Sequence, residues 1–456
     1  MEMQTAYSDY ILDKAVLVHK NDDISPELFH QLGVKRGLRD EQGRGVLTGL
    51  TSISRIDSVK VENNKKVPID GQLYYRQYSI SDLIDMYNEK GFGYERAAYL
   101  LLFGELPTED EASDFIRYLA KARTLPKGFT RDVIMKATSK DIMNSMTRSI
   151  LTMASYDNDY SPTDIPATIY QSIRLIATFP LLAIYAYHAY NHYENYNSMY
   201  IHRPGTNLST AENIFRMLRP DMAYTKTEAQ VLDACLMLHM EHGGGNNSTF
   251  TTRVVTSAGS DTYSSIAAAM SSLKGPRHGG ANIKVIEMFD DIKAHIKNPS
   301  NDDEVADYLA KILDKKAFDN SGLIYGMGHA IYSVSDPRER VLKEFVKRLA
   351  KEKGDKAEQD LALYEAVERL APEVIAERRH MFKSVSPNVD FYSGFVYEML
   401  GIPRELYTPL FAIARISGWT AHRLEELVSG GKIIRPAYMS IINVNNTNDP
   451  NMYDVD

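Results

Sequence analysis

One cysteine in 456 residues is the first shortage. A lone Cys235 closes no internal disulfide, so the fold asks for no oxidising compartment, and structural zinc built on cysteine pairs goes with it. Positive charge is short as well. The 52 Lys and Arg against 60 Asp and Glu leave a net charge of -8, and no Lys/Arg cluster stands out, which argues against a nucleic-acid partner. The opening MEMQTAYSDY has neither the basic region nor the apolar stretch of a secretion signal, so a cytoplasmic location is expected. Long apolar runs are scarce too. The most membrane-like stretch, LIATFPLLAIYAY from Leu175 to Tyr187, is interrupted by Pro180 and falls short of the ~20 residues a span needs. It is expected as a buried, Pro-bent helix, and no membrane partner is expected.

Strand alternation is also rare, and what replaces it is helical spacing. Val231, Cys235 and Leu238 recur at i, i+4 and i+7 in a segment from Lys226 that stops at Gly243-Gly244-Gly245. A second segment from Ser260 carries Tyr263, Ile266, Ala267, Met270 and Leu273 and breaks at Gly275-Pro276. A third places Val285, Phe289, Ile292 and Ile296 on one face, and a fourth starts at Asp336-Pro337 with Pro in the first turn. The expected class is mainly α. Strand candidates at Gly49 to Val59 and Gln72 to Tyr78 predict a short N-terminal β segment. The charged run Lys351 to Asp360 reads as a surface loop, and Ser440 to Asp456, rich in Asn, as a loosely held tail.

Chemistry is to be sought where polar residues sit in glycine-rich breaks between apolar helices, since such breaks bring functional groups to a cleft without spoiling the core. Four qualify: EHGGGNNSTFTTR, LKGPRHGGAN, GMGHAIYSVSDPR and PNVDFYSG. They hold His242, His278, His329 and Asp390. Taken singly each has a structural explanation, a histidine as a cap compensating a helix dipole and Asp390 as an N-cap. His239-Met-Glu-His242 suggests a metal only superficially, because the spacing is not the i, i+4 pair of a zinc-protease helix. Gly430-Gly431-Lys432 lacks the spacing of a phosphate-binding loop.

Taken together, LKGPRHGGAN, GMGHAIYSVSDPR, PNVDFYSGFVYEMLGIP and FAIARISGW resemble the signature blocks of the citrate synthase family, in order and at matching separations. The likeness extends to GQLYYRQYSISDLIDMYNEKGFGYERAAYLLLFGELPT and covers about Gly49 to Pro436. It implies condensation of acetyl-CoA with oxaloacetate and hydrolysis of citryl-CoA. Asp390 is then the base that takes the methyl proton, His278 the donor to the enolate oxygen, and His329 the donor that polarises the ketone. Oxaloacetate carries two carboxylates, and the resemblance assigns their anchors to Arg338, Arg415 and Arg435, with His242 as a further polar contact. Without it, Arg338 reads as a salt bridge with neighbours between Glu339 and Arg348, and Arg415 as a core-edge ion pair.

The resemblance further implies a homodimer, with Arg435 supplied by the neighbouring subunit, and acyl-CoA and oxaloacetate as the small-molecule partners. It implies a large helical domain, 1–279 with 392–456, and a small helical domain, 280–391, which closes over the cleft. No cofactor and no metal are implied, acetyl-CoA being a substrate. Gly326 and Gly328 are candidate CoA contacts. A basic residue is usual where Ser333 stands, so one CoA phosphate contact is missing from the pattern, and Lys383 is the candidate to compensate; Tyr325 is a further departure. Two rival functions remain. One is a 2-methylcitrate synthase acting on propionyl-CoA, and the other a non-catalytic dimeric regulatory relative, which should have lost a catalytic residue.

Overall fold

The computed structural model describes residues 7–40, 43–63, 65–158, 161–380 and 385–441. Its contacts divide the chain into two units, Met1–Leu50 with Arg435–Asp456, and Thr51–Ile434. In the first, the helix Asp9–Asp22 buries none of its residues, and the short helix Pro26–Gln31 starts on Pro26 after a Ser25 cap. The tail expected from Ser440 lies outside the described residues from 442 onward.

The unit Thr51–Ile434 opens on an antiparallel sheet of three strands, β1 (Ser54–Glu62), β2 (Lys65–Tyr75) and β3 (Tyr78–Ser79), in the order β1-β2-β3. The expected β segment is there, longer at its centre than the sequence pattern suggests. The pairs Val61↔Lys66 and Glu62↔Lys65 extend the hairpin through VENNKKV, a stretch whose polarity resembles a loop. Among the described residues every named element after it is a helix, in agreement with the mainly α reading.

Helix bounds follow the apolar spacing and its punctuation. Lys226–His239 and Thr262–Lys274 begin on side-chain caps from Thr225 and Asp261, and Pro337–Lys353 begins on a cap from Asp336 with Pro337 in its first turn. The Leu175 to Tyr187 stretch belongs to a far longer helix, Ile165–Asn195, which runs through Pro180 without interruption. It is long and apolar enough to cross a membrane, and 83% of its most apolar window is buried inside the protein. It packs along the helix Tyr407–Val428, at whose centre Trp419 is fully buried. The charged run Lys351 to Asp360 is not a loop. Only Gly354, at φ 90°, separates Pro337–Lys353 from the helix Asp355–Arg379, because Lys, Glu, Ala and Asp on a solvated face sustain a helix as readily as a loop.

The expected domain boundaries fall inside the unit Thr51–Ile434. The boundary at 391 falls inside the helix Val389–Met399, which packs on both Ala281–His295 and Pro337–Lys353, while Asp302–Leu313 lies along Asp355–Arg379. The rings of Phe289 and Tyr364 stack at 3.5 Å, with Phe391 edge-on to both and Phe395 stacked on Tyr364. Phe391 therefore turns into this apolar stack, which fixes the first turn of the helix that carries Asp390.

Candidate active site

His278 follows the helix Thr262–Lys274 across Gly275-Pro276, and its amide donates to Gly275 O at 2.9 Å. Its Nε2 lies 2.9 Å from Ser248 Oγ and 3.4 Å from the Ser248 amide nitrogen. The Ser248 amide faces Nε2, and Ser248 Oγ, which donates to Asn246 Oδ1 at 2.9 Å, lies against the same nitrogen. Ser248 Oγ is held in turn by Trp419 Nε1–H at 3.1 Å. Burial, reinforced by the charge on Arg415, pushes the His278 pKa down to about 4, so the ring is a neutral donor at physiological pH.

His329 is fixed with the opposite handedness. Its Nδ1 accepts from the amides of Ile331 at 3.0 Å and Tyr332 at 3.2 Å, which leaves the proton on Nε2. Burial and the neighbouring Arg338 push this ring, too, down to about 4. Neither histidine acts as a helix cap. The ring of His242 crosses that of His329 at 5.2 Å, and its Nε2 lies 3.2 Å from the Tyr332 hydroxyl.

Asp390 stands in the first turn of Val389–Met399, but the cap of that helix is Asn388, whose Oδ1 accepts from the Asp390 amide at 2.9 Å. Its carboxylate is thus spared for other work. Burial raises its pKa to about 6, with Arg338 and Arg415 pulling against that and Asp336 adding to it.

Main-chain pairing ties Asp390 to His329. Gly328 N donates to Ser386 O at 2.8 Å and Asn388 N donates to Gly326 O at 2.9 Å, and the Asn388 side chain adds a third bond, Nδ2 donating to Gly328 O at 2.8 Å. Gly326 has φ 81°, and a Cβ there would stand 2.9 Å from the Phe391 ring and 3.0 Å from Phe391 Cα. The structure thereby gives Gly326 a packing role, whereas Gly328 has room for a Cβ and is set apart by its φ of 88°. Lys383 lies outside the described residues.

The two buried arginines differ. Arg338 does not pair with the residues after it; Asp336 grips it through Nε at 3.0 Å and Nη2 at 2.7 Å, while also accepting from Val389 N at 3.2 Å. Its Nη2 lies 3.5 Å from His329 Nε2. Arg415 is not a core-edge ion pair. Its Nε donates to His239 O at 2.7 Å, its guanidinium lies 4.7 Å above Phe411, and its Nη1 is buried with no hydrogen-bond partner. A buried orphan donor on a cation is costly, and a ligand carboxylate would satisfy it. Arg435 is exposed and belongs to the other unit.

Several residues escaped the sequence reading. The helix Tyr407–Val428 turns Phe411, Arg415, Trp419 and His422 to one side at helical spacing: Phe411 lies edge-on to the rings of His239 and His278, and His422 meets Glu241. Glu241 Oε1 also accepts from Ser54 Oγ at 2.8 Å and Gly243 N at 2.6 Å, and behind His422 stands Arg253, paired with Glu425 and Glu426. Burial would raise the Glu241 pKa, yet His422 and Arg415 outweigh it and hold the carboxyl at about 2. His239 spends Nδ1–H on Cys235 O at 2.8 Å, so the His239-Met-Glu-His242 run is committed to the protein's own hydrogen bonds. The stripe was readable in FAIARISGW, which contains the chain's one tryptophan.

Neutral buried imidazoles, a raised carboxyl and two buried guanidinium groups suit an enzyme that works on an anionic substrate by acid–base and hydrogen-bond catalysis. The chain belongs to the citrate synthase family: the model for "Citrate synthase, C-terminal domain" matches residues 38–437. It is 33% identical to the citrate synthase of Haloferax volcanii over 408 residues, 88% of this chain and 94% of that one. It is 31% identical to 2-methylcitrate synthase 1 of Corynebacterium glutamicum, with the same coverage. The crystal structure of citrate synthase from Pyrobaculum aerophilum superposes with a TM-score of 0.73 at 29% identity, covering 91% of this chain and 94% of that one.

Proposed function

We propose that the protein condenses acetyl-CoA with oxaloacetate and hydrolyses the resulting citryl-CoA to citrate and CoA. The observation that carries this reading is that backbone amides face opposite ring nitrogens of two buried imidazoles, Nε2 of His278 and Nδ1 of His329; with the proton on the other nitrogen of each ring, two neutral donors stand ready for two different oxygens. In the first step the Asp390 carboxylate takes a methyl proton from the thioester, and the electron pair of that C–H bond moves toward the thioester oxygen, which His278 stabilises. In the second, the enol carbon attacks the oxaloacetate ketone, and the developing alkoxide takes its hydrogen bond and proton from His329. Water then cleaves the thioester and releases CoA.

Arg415, with its unused Nη1, and Arg338, oriented by Asp336, are the proposed carboxylate anchors, with His242 beside them. Arg435 completes the set from the neighbouring subunit of a homodimer. The lobe 280–391 closes over the site and excludes water. The proposed chemistry uses imidazole, carboxylate and guanidinium groups, with no metal or cofactor, in the cytoplasm.

A second reading, 2-methylcitrate synthesis from propionyl-CoA, is supported by relatives named for that activity at 30 to 31% identity, close to the citrate synthases at 32 to 34%. Steady-state rates with acetyl-CoA and propionyl-CoA, each with oxaloacetate and following free thiol, distinguish the two. Acetyl-CoA is expected to have the higher kcat/KM, and a tenfold preference for propionyl-CoA would reverse the assignment.

A further inference from the structure

Tyr332 is buried, carries no charge at neutral pH and has no part in the steps above, yet it touches both histidines of the oxaloacetate side. Its amide is one of the two donors on His329 Nδ1, at 3.2 Å. Its ring lies 4.8 Å from the His329 ring at a 33° tilt. Its hydroxyl is 3.2 Å from His242 Nε2. With the phenol donating to Nε2, His242 keeps its ring proton on Nδ1.

The sheet is shaped around this ring. A Cβ on Gly71, in β2, would stand 2.5 Å from Tyr332 Cδ1, and Gly71 N donates to Ser335 O at 3.2 Å. The close approach needs glycine, and it clamps the tyrosine between strand and histidines.

We propose that Tyr332 is a positioning residue for oxaloacetate, fixing the tautomer of His329 through its amide and the tautomer and orientation of His242 through its hydroxyl. This rests on the assignment of His242, His329 and Arg338 to the oxaloacetate side. The amide survives any substitution except proline, so a side-chain change isolates the hydroxyl. Tyr332→Phe keeps the ring that fills the space over Gly71.

The test is isothermal calorimetry of oxaloacetate binding to the wild-type protein and Tyr332→Phe, with steady-state kinetics and melting temperatures for both. The expected result is a rise in the oxaloacetate Kd and KM by about threefold to tenfold, the effect of one lost hydrogen bond. The acetyl-CoA KM, kcat and melting temperature should stay within about twofold and about 2 °C of wild type. Phenylalanine keeps the packing, so a residue with only a packing role would leave the oxaloacetate Kd and KM at their wild-type values, and that result overturns the inference. So does an equal rise in both substrates' KM. If the wild-type protein itself neither binds oxaloacetate nor releases thiol, the proposed function falls; if it does both and Tyr332→Phe binds equally well, only the role of Tyr332 falls.

Discussion

Glu241 and His422 meet at 2.9 Å with no solvent on either side chain, one on the loop that leads into the site and the other on the helix that carries Arg415. The pair joins loop to helix while placing a negative charge near Arg415. Removing one member of a buried pair strands the other, which typically costs about 3 to 5 kcal/mol. Glu241→Gln should lower the melting temperature by at least about 5 °C. The sign with pH follows from a folded-state pKa of about 2 against an ordinary value of 4.5: the stabilisation is full above that ordinary value and fades as pH falls toward 2. Melting curves of wild type and Glu241→Gln should therefore converge between about pH 5 and pH 3. A gap that persists unchanged at pH 3 would contradict the charge argument.

Asp390 has the opposite profile. A base held at about 6 is active when ionised, so kcat should fall below pH 6 along a single acid limb. Its ionised form is disfavoured by the fold at a cost of about 3 kcal/mol at neutral pH. Asp390→Asn should accordingly abolish turnover while melting no lower than wild type at pH 7.5, and a loss of several degrees would argue against burial as the cause of the raised pKa.

The base and the ketone donor separate by step. Asp390→Asn with an oxaloacetate analogue should cease to exchange acetyl-CoA methyl protons with solvent, as followed by NMR. His329→Ala should retain part of that exchange while condensation drops by roughly 10²- to 10³-fold, the loss usual for one such donor. Undiminished exchange in Asp390→Asn would assign the base to another group.

Exhaustive chelation should leave the rate unchanged, since the proposed site asks for no Lewis acid. Activity lost to EDTA and restored by zinc or magnesium would refute that mechanism.

The four glycine-rich breaks and the helices between them were legible because each side chain there stands next to a change of backbone direction that composition marks. Long-range partners were not. Nothing about Glu241 in sequence points to His422, 181 positions away, and Asp336 looks like a plain helix cap until its second contact, with Val389 on another helix, is seen. Helix length was misjudged for a related reason. The charged residues flanking Gly354 resemble a loop and Pro180 an interruption of the Leu175 to Tyr187 stretch, whereas packing of the apolar faces carries both regions through.

The stitch between Gly326–Gly328 and Ser386–Asn388 has a consequence for how the sequence can vary. Apart from the Asn388 side chain, the atoms that align the proposed ketone donor His329 with the proposed base Asp390 are main-chain atoms, which every residue type supplies. Met327 and Ser386 can drift among residues of similar size with the register intact. Gly326 has no such latitude: a single methyl group there pushes on Phe391, one residue from the carboxylate, so Gly326→Ala misaligns the two halves of the reaction without touching either.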